Sequence, residues 1–372
     1  MTEQQRPLIG AAVVVYCTGT THPFPHMNVS IARDRPPETP DRVRILTGDR
    51  PTGSLHLGHF VGSLKNRVAL QQTHDQTILI ADMQALTDNA HRSATIAANV
   101  FDVVRDYLAA GIDPAVSHIV LQSGLPALNE LAMLYMNLVT VARLERNPTV
   151  KSEIVMRGFE RDIPAGFLIY PVSQAADITA FRATVVPVGG DQTPMIEQTN
   201  EIVDSVNRMA GANVLERCSG LYSATTRLPG ADGRKASKSL GNALSLSASP
   251  TEVAAFVQSM FTDPNHLRVA DPGTVEGNVV FAYLDAFDED TAAVAELKEH
   301  YRRGGLGDSM IKKRLARVLE TVLVSIRERR AAASLSDDDI LTLLSDSTRR
   351  AAVMTESVLS DVRAAFGVMR LD

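Results

Sequence analysis

Short apolar runs alternate with amphipathic stretches through the middle of the chain. Each run is flanked by polar residues, Gly or Pro and is short enough to be a buried strand. Four such runs cover residues 42–48, 77–81, 117–121 and 184–188. Between the second and third, apolar residues recur at helical spacing up to Gly111, a residue suited to ending a helix. This alternation predicts an α/β fold with a parallel sheet, whose ligands bind at the carboxyl ends of the strands.

The pattern changes at both ends of this region. Residues 1–41 contain six prolines and no helical or alternating run, so we expect a disordered N-terminal extension. Residues 42–247 hold the strand-and-helix pattern and predict a Rossmann-like catalytic domain. Residues 248–372 are mainly helical in pattern and predict a separate C-terminal helical domain.

The composition is that of an ordinary globular protein. Of 372 residues, 45% are hydrophobic and 22% are charged, and no apolar stretch approaches the length needed to cross a bilayer. The two cysteines, Cys17 and Cys218, lie far apart and form no CxxC pair. We therefore expect no disulfide framework, no metal site, no membrane association and a cytoplasmic location.

The net charge of −6 disfavours a nucleic-acid partner, but the charge is unevenly distributed. Between Tyr301 and Arg330, nine Lys or Arg stand against three acidic residues. Apolar residues recur at helical spacing in the same segment, which predicts a helix with one buried face and basic flanks. The pattern fits both a solvated helix and a helix that contacts RNA.

Two motifs carry the candidate chemistry. His56-Leu57-Gly58-His59 begins a predicted helix after the first strand, where unpaired amides and the helix dipole favour a phosphate beside the imidazoles. Gly58 permits close backbone approach to a nucleotide. Far downstream, Lys235-Ala236-Ser237-Lys238-Ser239 lies in a glycine-punctuated stretch typical of a mobile loop. The two motifs predict that a nucleoside triphosphate is held from two sides.

The chain resembles the class I aminoacyl-tRNA synthetases, because these two motifs stand in the places of the paired signatures of that class. Two further segments narrow the resemblance to the tryptophanyl-tRNA synthetases. Tyr170–Ile178 is similar to their amino-acid-pocket helix, and Val186–Gln192 is similar to their ribose-binding strand and turn. The four segments occur in family order between about residues 42 and 242, and their joint order is more specific than any one of them.

The resemblance implies a role for each matching residue. The catalytic residues would be His56, His59, Lys235 and Lys238. The ATP-binding residues would be these four with Gly58, Lys151, Gly189, Asp191 and Ser237. The tryptophan-binding residues would be Leu46, Gln84, Tyr170, Gln174, Asp177, Val186, Val188 and Gln192. Mg²⁺ would accompany the nucleotide, because this cation keeps most of its waters and takes few protein ligands.

The implied reaction has two steps. The carboxylate of L-tryptophan attacks the α-phosphate of ATP to give tryptophanyl-adenylate and pyrophosphate, and the amino acid is then transferred to tRNA(Trp). Asp177 would accept the indole N–H, the only hydrogen-bonding group of that ring, and would be left unpaired by phenylalanine. The resemblance also implies a homodimer and a tRNA-binding role for the helical domain.

Three positions depart from the pattern of relatives: Gln84 stands where one branch has a histidine, Gly190 where many relatives have an acidic residue, and Ala236 where a methionine is usual. Two alternatives stay open at this stage. A tyrosyl-tRNA synthetase shares the paired signatures, although the first-strand region offers no Tyr to bracket a phenol. A synthetase-derived regulatory protein that binds tryptophan or a nucleotide would explain the departures. The retained histidines and lysines favour a working enzyme.

Overall fold

The structure, a computed structural model, describes residues 42–159, 162–222, 228–236 and 240–369. The extension predicted for residues 1–41 lies outside the described residues, as do Ser237 and Lys238. Among the helices that are described, none is long and apolar enough to cross a membrane.

The described residues form a parallel sheet of five strands. These are β1 (Arg44–Asp49), β2 (Asp75–Ile80), β3 (Ser117–Leu121), β4 (Val185–Val188) and β5 (Ser219–Tyr222). Their order in the sheet is β3-β2-β1-β4-β5, and all neighbours are parallel. The chain thus builds the sheet outward from β1 in one direction and then in the other. The direction changes between β1 and β4, where sheets of this type form their ligand crevice.

Helices connect the strands and continue beyond the sheet. Those before β5 are α1 (Leu57–His59), α2 (Lys65–Leu70), α3 (Asp82–Ala85), α4 (Ser93–Ala110), α5 (Pro126–Met136), α6 (Val141–Arg146), α7 (Pro148–Arg157), α8 (Ala165–Ala180) and α9 (Thr193–Ala210). Those after β5 are α10 (Pro250–Ser259), α11 (Val279–Phe287), α12 (Thr291–Arg303), α13 (Asp308–Ala333) and α14 (Asp337–Ala365). A π-helical turn, Phe60–Leu64, joins α1 to α2.

These elements confirm the predicted fold class. Each of the four apolar runs overlaps a strand, and β3 has the predicted bounds. Helix α4 ends at Ala110, and Gly111 follows in the left-handed conformation with φ of 110°. Strand β5 was not predicted, because Ser219–Tyr222 is short, largely exposed and contains Gly220.

The core lies on both faces of the sheet. Ile78 and Ile80 of β2 pack on one face with residues of α4 and α13, whereas Leu79 packs on the other with residues of α5 and α8. Successive side chains of a strand point to opposite faces. Because helices cover both faces, β2 has a continuous apolar run and no alternation.

The C-terminal helices complete this cover. Helix α13 packs on α4, and α14 packs on the edge strand β3. The backbone N–H of Leu121 donates a hydrogen bond of 3.0 Å to Thr348 Oγ1, so α14 supplies an acceptor to one backbone amide of the edge strand. Arg330 of α13 pairs with the buried Asp106 of α4. Helices from beyond the predicted division at residue 247 therefore pack directly on the sheet and its helices.

The basic segment has the predicted buried face, but many of its charges already have partners within the molecule. Ile311, Leu315 and Ile326 are buried. Six of its nine basic side chains contact other described residues: Arg302, Lys312, Arg314, Arg327, Arg329 and Arg330. The positive charge left for a nucleic acid is therefore smaller than the sequence count indicates.

Candidate active site

A cavity of about 830 Å³ opens at the carboxyl ends of β1 and β4. Strands β1 and β2 pair along their whole length, whereas β1 and β4 pair only at Ile45 and Val185. Beyond that pair the two strands separate, and the cavity lies in the gap. Its walls include Leu46–Asp49 of β1 and Val186–Val188 of β4.

Helix α8 supplies one side of the cavity. Tyr170, Gln174 and Asp177 are spaced by four and three residues, which places them on one face of the helix, and all three line the cavity. The helix runs through Pro171 without ending.

The strands supply the opposite, apolar side. Val186 and Val188 alternate along β4 and so share a face, and both line the cavity together with Leu46 of β1. Gln84 of α3 and Gln192 at the start of α9 also line it. The structure thus brings together all eight residues predicted to bind tryptophan, from segments nearly 150 positions apart.

Asp177 is buried at the base of the cavity within a network of two glutamines. Gln122 Nε2 donates to both of its carboxylate oxygens at 2.9 Å, and Gln84 Nε2 donates to Oδ2 at 2.7 Å. Gln122 Oε1 accepts the backbone N–H of Gln84 at 3.1 Å, which fixes the orientation of the Gln122 amide. Burial raises the pKa of Asp177 to about 7, against the two amide hydrogen bonds, which favour the charged form.

The histidine motif folds back on itself at the start of α1. His56 Nδ1 accepts the Gly58 N–H at 3.1 Å, the His56 N–H is 3.2 Å from His59 Nδ1, and the two ring centroids are 3.8 Å apart. A Cβ on residue 58 would lie 2.8 Å from the His56 ring, so glycine is required for this arrangement. Gly58 and His59 line the cavity, whereas His56 is not part of its lining.

The prediction of unpaired amides at this helix start is wrong. The N–H of Leu57 donates to Leu244 O at 3.0 Å, that of Gly58 to His56 Nδ1, and that of His59 to His56 O at 2.9 Å. All three amides have partners within the chain. The backbone amides at this motif are therefore already used within the chain.

Backbone hydrogen bonds tie the histidine motif to the chain that follows the lysine motif. Besides the bond from Leu57 to Leu244, the N–H of Leu246 donates to Leu55 O at 3.0 Å. Asn242 Nδ2 in turn donates to Lys235 O at 3.2 Å. Lys235 is exposed and is not among the residues that line the cavity.

The turn after β4, which was predicted to bind the ribose, also borders the cavity. Gly189 and Asp191 line it, and the hydroxyl of Thr149 donates to Asp191 O at 2.6 Å, which anchors the turn to α7. Lys151, two residues further along α7, is exposed and lies outside the lining.

A buried ion pair beneath His59 was not predicted. Arg67 Nη1 and the Tyr107 hydroxyl donate to Asp49 Oδ2 at 2.7 and 2.8 Å, and Asp49 and Arg67 both line the cavity. Burial alone would raise the pKa of Asp49, but the charges of Arg67 and His59 and the hydrogen bonds from Arg67 and Tyr107 lower it to about 2. Asp49 is thus a fixed negative charge beside His59. The sequence features that could have indicated this ion pair were an Asp at a strand end and an Arg within an apolar helical stretch.

Comparisons with known proteins show the family of the chain. The family model for class I tRNA synthetases of the W and Y type matches residues 38–324. A tryptophan–tRNA ligase of Clostridium longisporum is 54% identical over 87% of this chain and 96% of its own length, and one of Streptococcus pyogenes is 52% identical over 87% and 98%. The chain belongs to the tryptophan–tRNA ligase family.

Solved structures agree with this assignment. A tryptophanyl-tRNA synthetase from Campylobacter jejuni, complexed with ADP and tryptophan, aligns with a TM-score of 0.74 and 26% identity over 88% of this chain and all of its own. A tyrosyl-tRNA synthetase from Archaeoglobus fulgidus aligns with a TM-score of 0.61 at 21% identity, which shows the shared fold alone. The family resemblance inferred from the motifs is confirmed.

Proposed function

We propose that this chain activates L-tryptophan with ATP and transfers it to tRNA(Trp). The observation that carries the proposal is Asp177, a buried carboxylate held by two amides at the base of a cavity lined with apolar side chains. A buried acceptor favours a ring with one N–H donor, whereas a ring that has none adds no hydrogen bond to those from Gln122 and Gln84. A site of this kind rejects analogues without an editing domain.

The cavity has two ends with different chemistry, and the substrates are arranged accordingly. The indole ring lies between Leu46 and the valines of β4, with its N–H on Asp177. The α-ammonium group lies near Tyr170 and Gln192, and the ATP ribose lies near Asp191. This order places the tryptophan carboxylate beside the α-phosphate, so that binding itself supplies most of the orientation that the reaction needs.

In the first step a carboxylate oxygen attacks the α-phosphorus, and the bond to the β-phosphate breaks. Negative charge moves onto the departing pyrophosphate. The imidazoles of His56 and His59 and the ammonium groups of Lys235 and Lys238 stabilise that charge, and no covalent intermediate with the enzyme forms. Lys235 is exposed and outside the cavity lining, so its loop must close over the nucleotide for this contact.

Mg²⁺ enters with the nucleotide. Among the described residues, no group of three or more His, Cys, Asp or Glu side chains is placed to hold a metal ion. The phosphate oxygens and water would supply its ligands, which suits a cation that takes few protein ligands.

The second step requires a surface for tRNA. We assign it to the helical part of the chain beyond residue 247, in a cytoplasmic homodimer. Arg303, Lys313 and Arg317 of the basic segment are the charges best suited to this surface. The six other basic side chains of that segment already contact groups within the molecule.

Charging of transcripts tests this function. Purified protein is incubated with ATP, Mg²⁺, labelled tryptophan or labelled tyrosine, and a transcript of bacterial tRNA(Trp) or tRNA(Tyr). The proposal predicts labelled tryptophan esterified to tRNA(Trp) alone. Tryptophan binding without charging of either transcript would favour the regulatory protein, and charging of tRNA(Tyr) with tyrosine would move the chain to the sister activity.

A further inference from the structure

The cavity holds one accessible fixed positive charge that has no role in the function described above. Of the described residues that line it, two are arginines, Arg50 and Arg67. The Arg67 side chain is 2% exposed and is held by Asp49. The Arg50 side chain is 38% exposed and follows β1 directly, at the carboxyl edge of the sheet. A ligand in the cavity can therefore reach Arg50 but not Arg67.

A buried carboxylate holds Arg50 in place. Arg50 Nη1 donates to Asp88 Oδ1 at 3.1 Å, and the side chain of Asp88 is only 1% exposed. The other Asp88 oxygen lies 2.6 Å from Arg157 Nη2, a side chain of α7 that is not part of the cavity lining. A guanidinium has five N–H donors, and within the described residues Arg50 uses one of them on Asp88.

Groups of opposite charge stand on the same part of the cavity wall. The Tyr170 hydroxyl donates to Glu153 Oε2 at 3.0 Å, and both residues line the cavity. Burial and the charge of Glu153 raise the pKa of Tyr170, whereas the positive charge of Arg50 acts in the opposite direction. Arg50 is thus within electrostatic range of the phenol. An acidic and a basic group near one hydroxyl suit the ammonium and the carboxylate of an amino acid.

We infer that Arg50 binds the α-carboxylate of the amino-acid substrate. The identity of that amino acid rests on the proposed function. A planar guanidinium matches a carboxylate in geometry and charge. Anchored by Asp88, Arg50 holds one oxygen while the other attacks the α-phosphorus, and it stays on the carbonyl oxygen of the adenylate. Asp88 is a positioning residue that acts through Arg50.

The α-phosphate of ATP offers similar chemistry, so the test must separate the two anions. Tryptophanamide lacks the carboxylate but keeps the indole ring and the ammonium group. The chain contains no tryptophan, so the fluorescence of either ligand reports binding without background from protein indole. Binding is measured in the absence of ATP to the wild type and to Arg50→Gln, Arg50→Lys and Arg157→Gln.

Arg50→Gln is expected to weaken tryptophan binding about tenfold or more and tryptophanamide binding less than about twofold, because a charged hydrogen-bonded pair is lost only with tryptophan. Arg50→Lys keeps the charge and is expected to recover part of the preference for tryptophan over its amide. Arg157→Gln is the matched control, since Arg157 shares Asp88 but does not line the cavity; the preference should be unchanged.

An equal loss of affinity for tryptophan and for tryptophanamide in Arg50→Gln would overturn the inference. So would unchanged tryptophan binding with a raised KM for ATP in pyrophosphate exchange, which would assign Arg50 to the phosphate. If Arg50→Gln does not fold, Arg50→Met is measured in its place, and a preference equal to that of the wild type refutes the carboxylate contact. Failure of the proposed function is a separate result, in which the wild type itself binds no tryptophan.

Discussion

The affinity for tryptophan should depend on pH through Asp177. The pKa of this carboxyl is about 7 in the unliganded protein, because burial outweighs the hydrogen bonds from Gln122 and Gln84. The indole N–H binds the ionised form more strongly than the protonated form. Tryptophan binding is therefore predicted to weaken as pH falls through 7 and to lower the pKa of Asp177 in the complex.

The size of the effect follows from the hydrogen bond. A hydrogen bond to a charged group contributes about 1.5–3 kcal/mol, against about 0.5–1.5 kcal/mol for a neutral pair. The difference of about 1.4 kcal/mol corresponds to a tenfold change in Kd. We expect Kd to rise about tenfold between pH 8 and pH 5, with most of the change within about one unit of pH 7.

Ligand fluorescence titrations across this range measure the effect directly. Asp177→Asn removes the ionisable group, so its Kd should be weaker and flat with pH. 1-Methyltryptophan lacks the indole N–H and should bind the wild type without this dependence. A wild-type Kd that is constant from pH 5 to 8, or a dependence that persists in Asp177→Asn, would refute the reasoning.

Four further results are expected. Folding raises the pKa of Asp177 from 3.8 to about 7, so the contribution of this group to the stability of the folded state is complete below pH 3.8 and is lost as pH rises through 7. In urea unfolding at pH 8, Asp177→Asn should therefore be more stable than the wild type by up to roughly 4 kcal/mol. Asp106→Ala removes the buried partner of Arg330, which then keeps only Asp102, and it removes the acceptor of the Leu55 N–H, so urea unfolding should show a loss of about 3 kcal/mol. Gly230→Ala forces a Cβ into the side chain of Asn242, which donates a hydrogen bond to Lys235 O. Pyrophosphate exchange should therefore slow, while tryptophan binding stays unchanged. Lys235→Ala should lower kcat of exchange about a hundredfold with unchanged tryptophan binding.

Structural features that depend on residues close together in sequence were predicted well. The helix that ends at Gly111 and the strand Ser117–Leu121 follow from local spacing and from a glycine that tolerates a positive φ. Tyr170, Gln174 and Asp177 were predicted to bind the amino acid from the family resemblance of Tyr170–Ile178, and their spacing places them on one helix face. A spacing of this kind is visible before the fold is known.

Contacts between distant segments were not predictable. Gln122 directly follows β3, but its hydrogen bond to Asp177, which is 55 positions away in sequence, depends on how α8 packs against the sheet. The pairing of Arg67 with Asp49 likewise depends on the path of the chain after α1. Local composition does not specify which acid meets which base.

The basic segment shows the same limit for charge. The sequence count treats every Lys and Arg between Tyr301 and Arg330 as available, yet Arg314 and Arg330 are held by Asp288 and Asp106. Net charge in a window measures what the chain carries. It does not measure what the folded surface offers to a partner.

The most direct test of the account is amino-acid-dependent exchange of labelled pyrophosphate into ATP. Exchange is measured with tryptophan, tyrosine and phenylalanine, for both the wild type and Asp177→Ala. The thermal transition of the variant shows whether it is folded. The account predicts exchange with tryptophan alone and its loss in a folded Asp177→Ala. Exchange that depends on tyrosine, or exchange with tryptophan that survives in the variant, would contradict the claim that Asp177 selects the substrate.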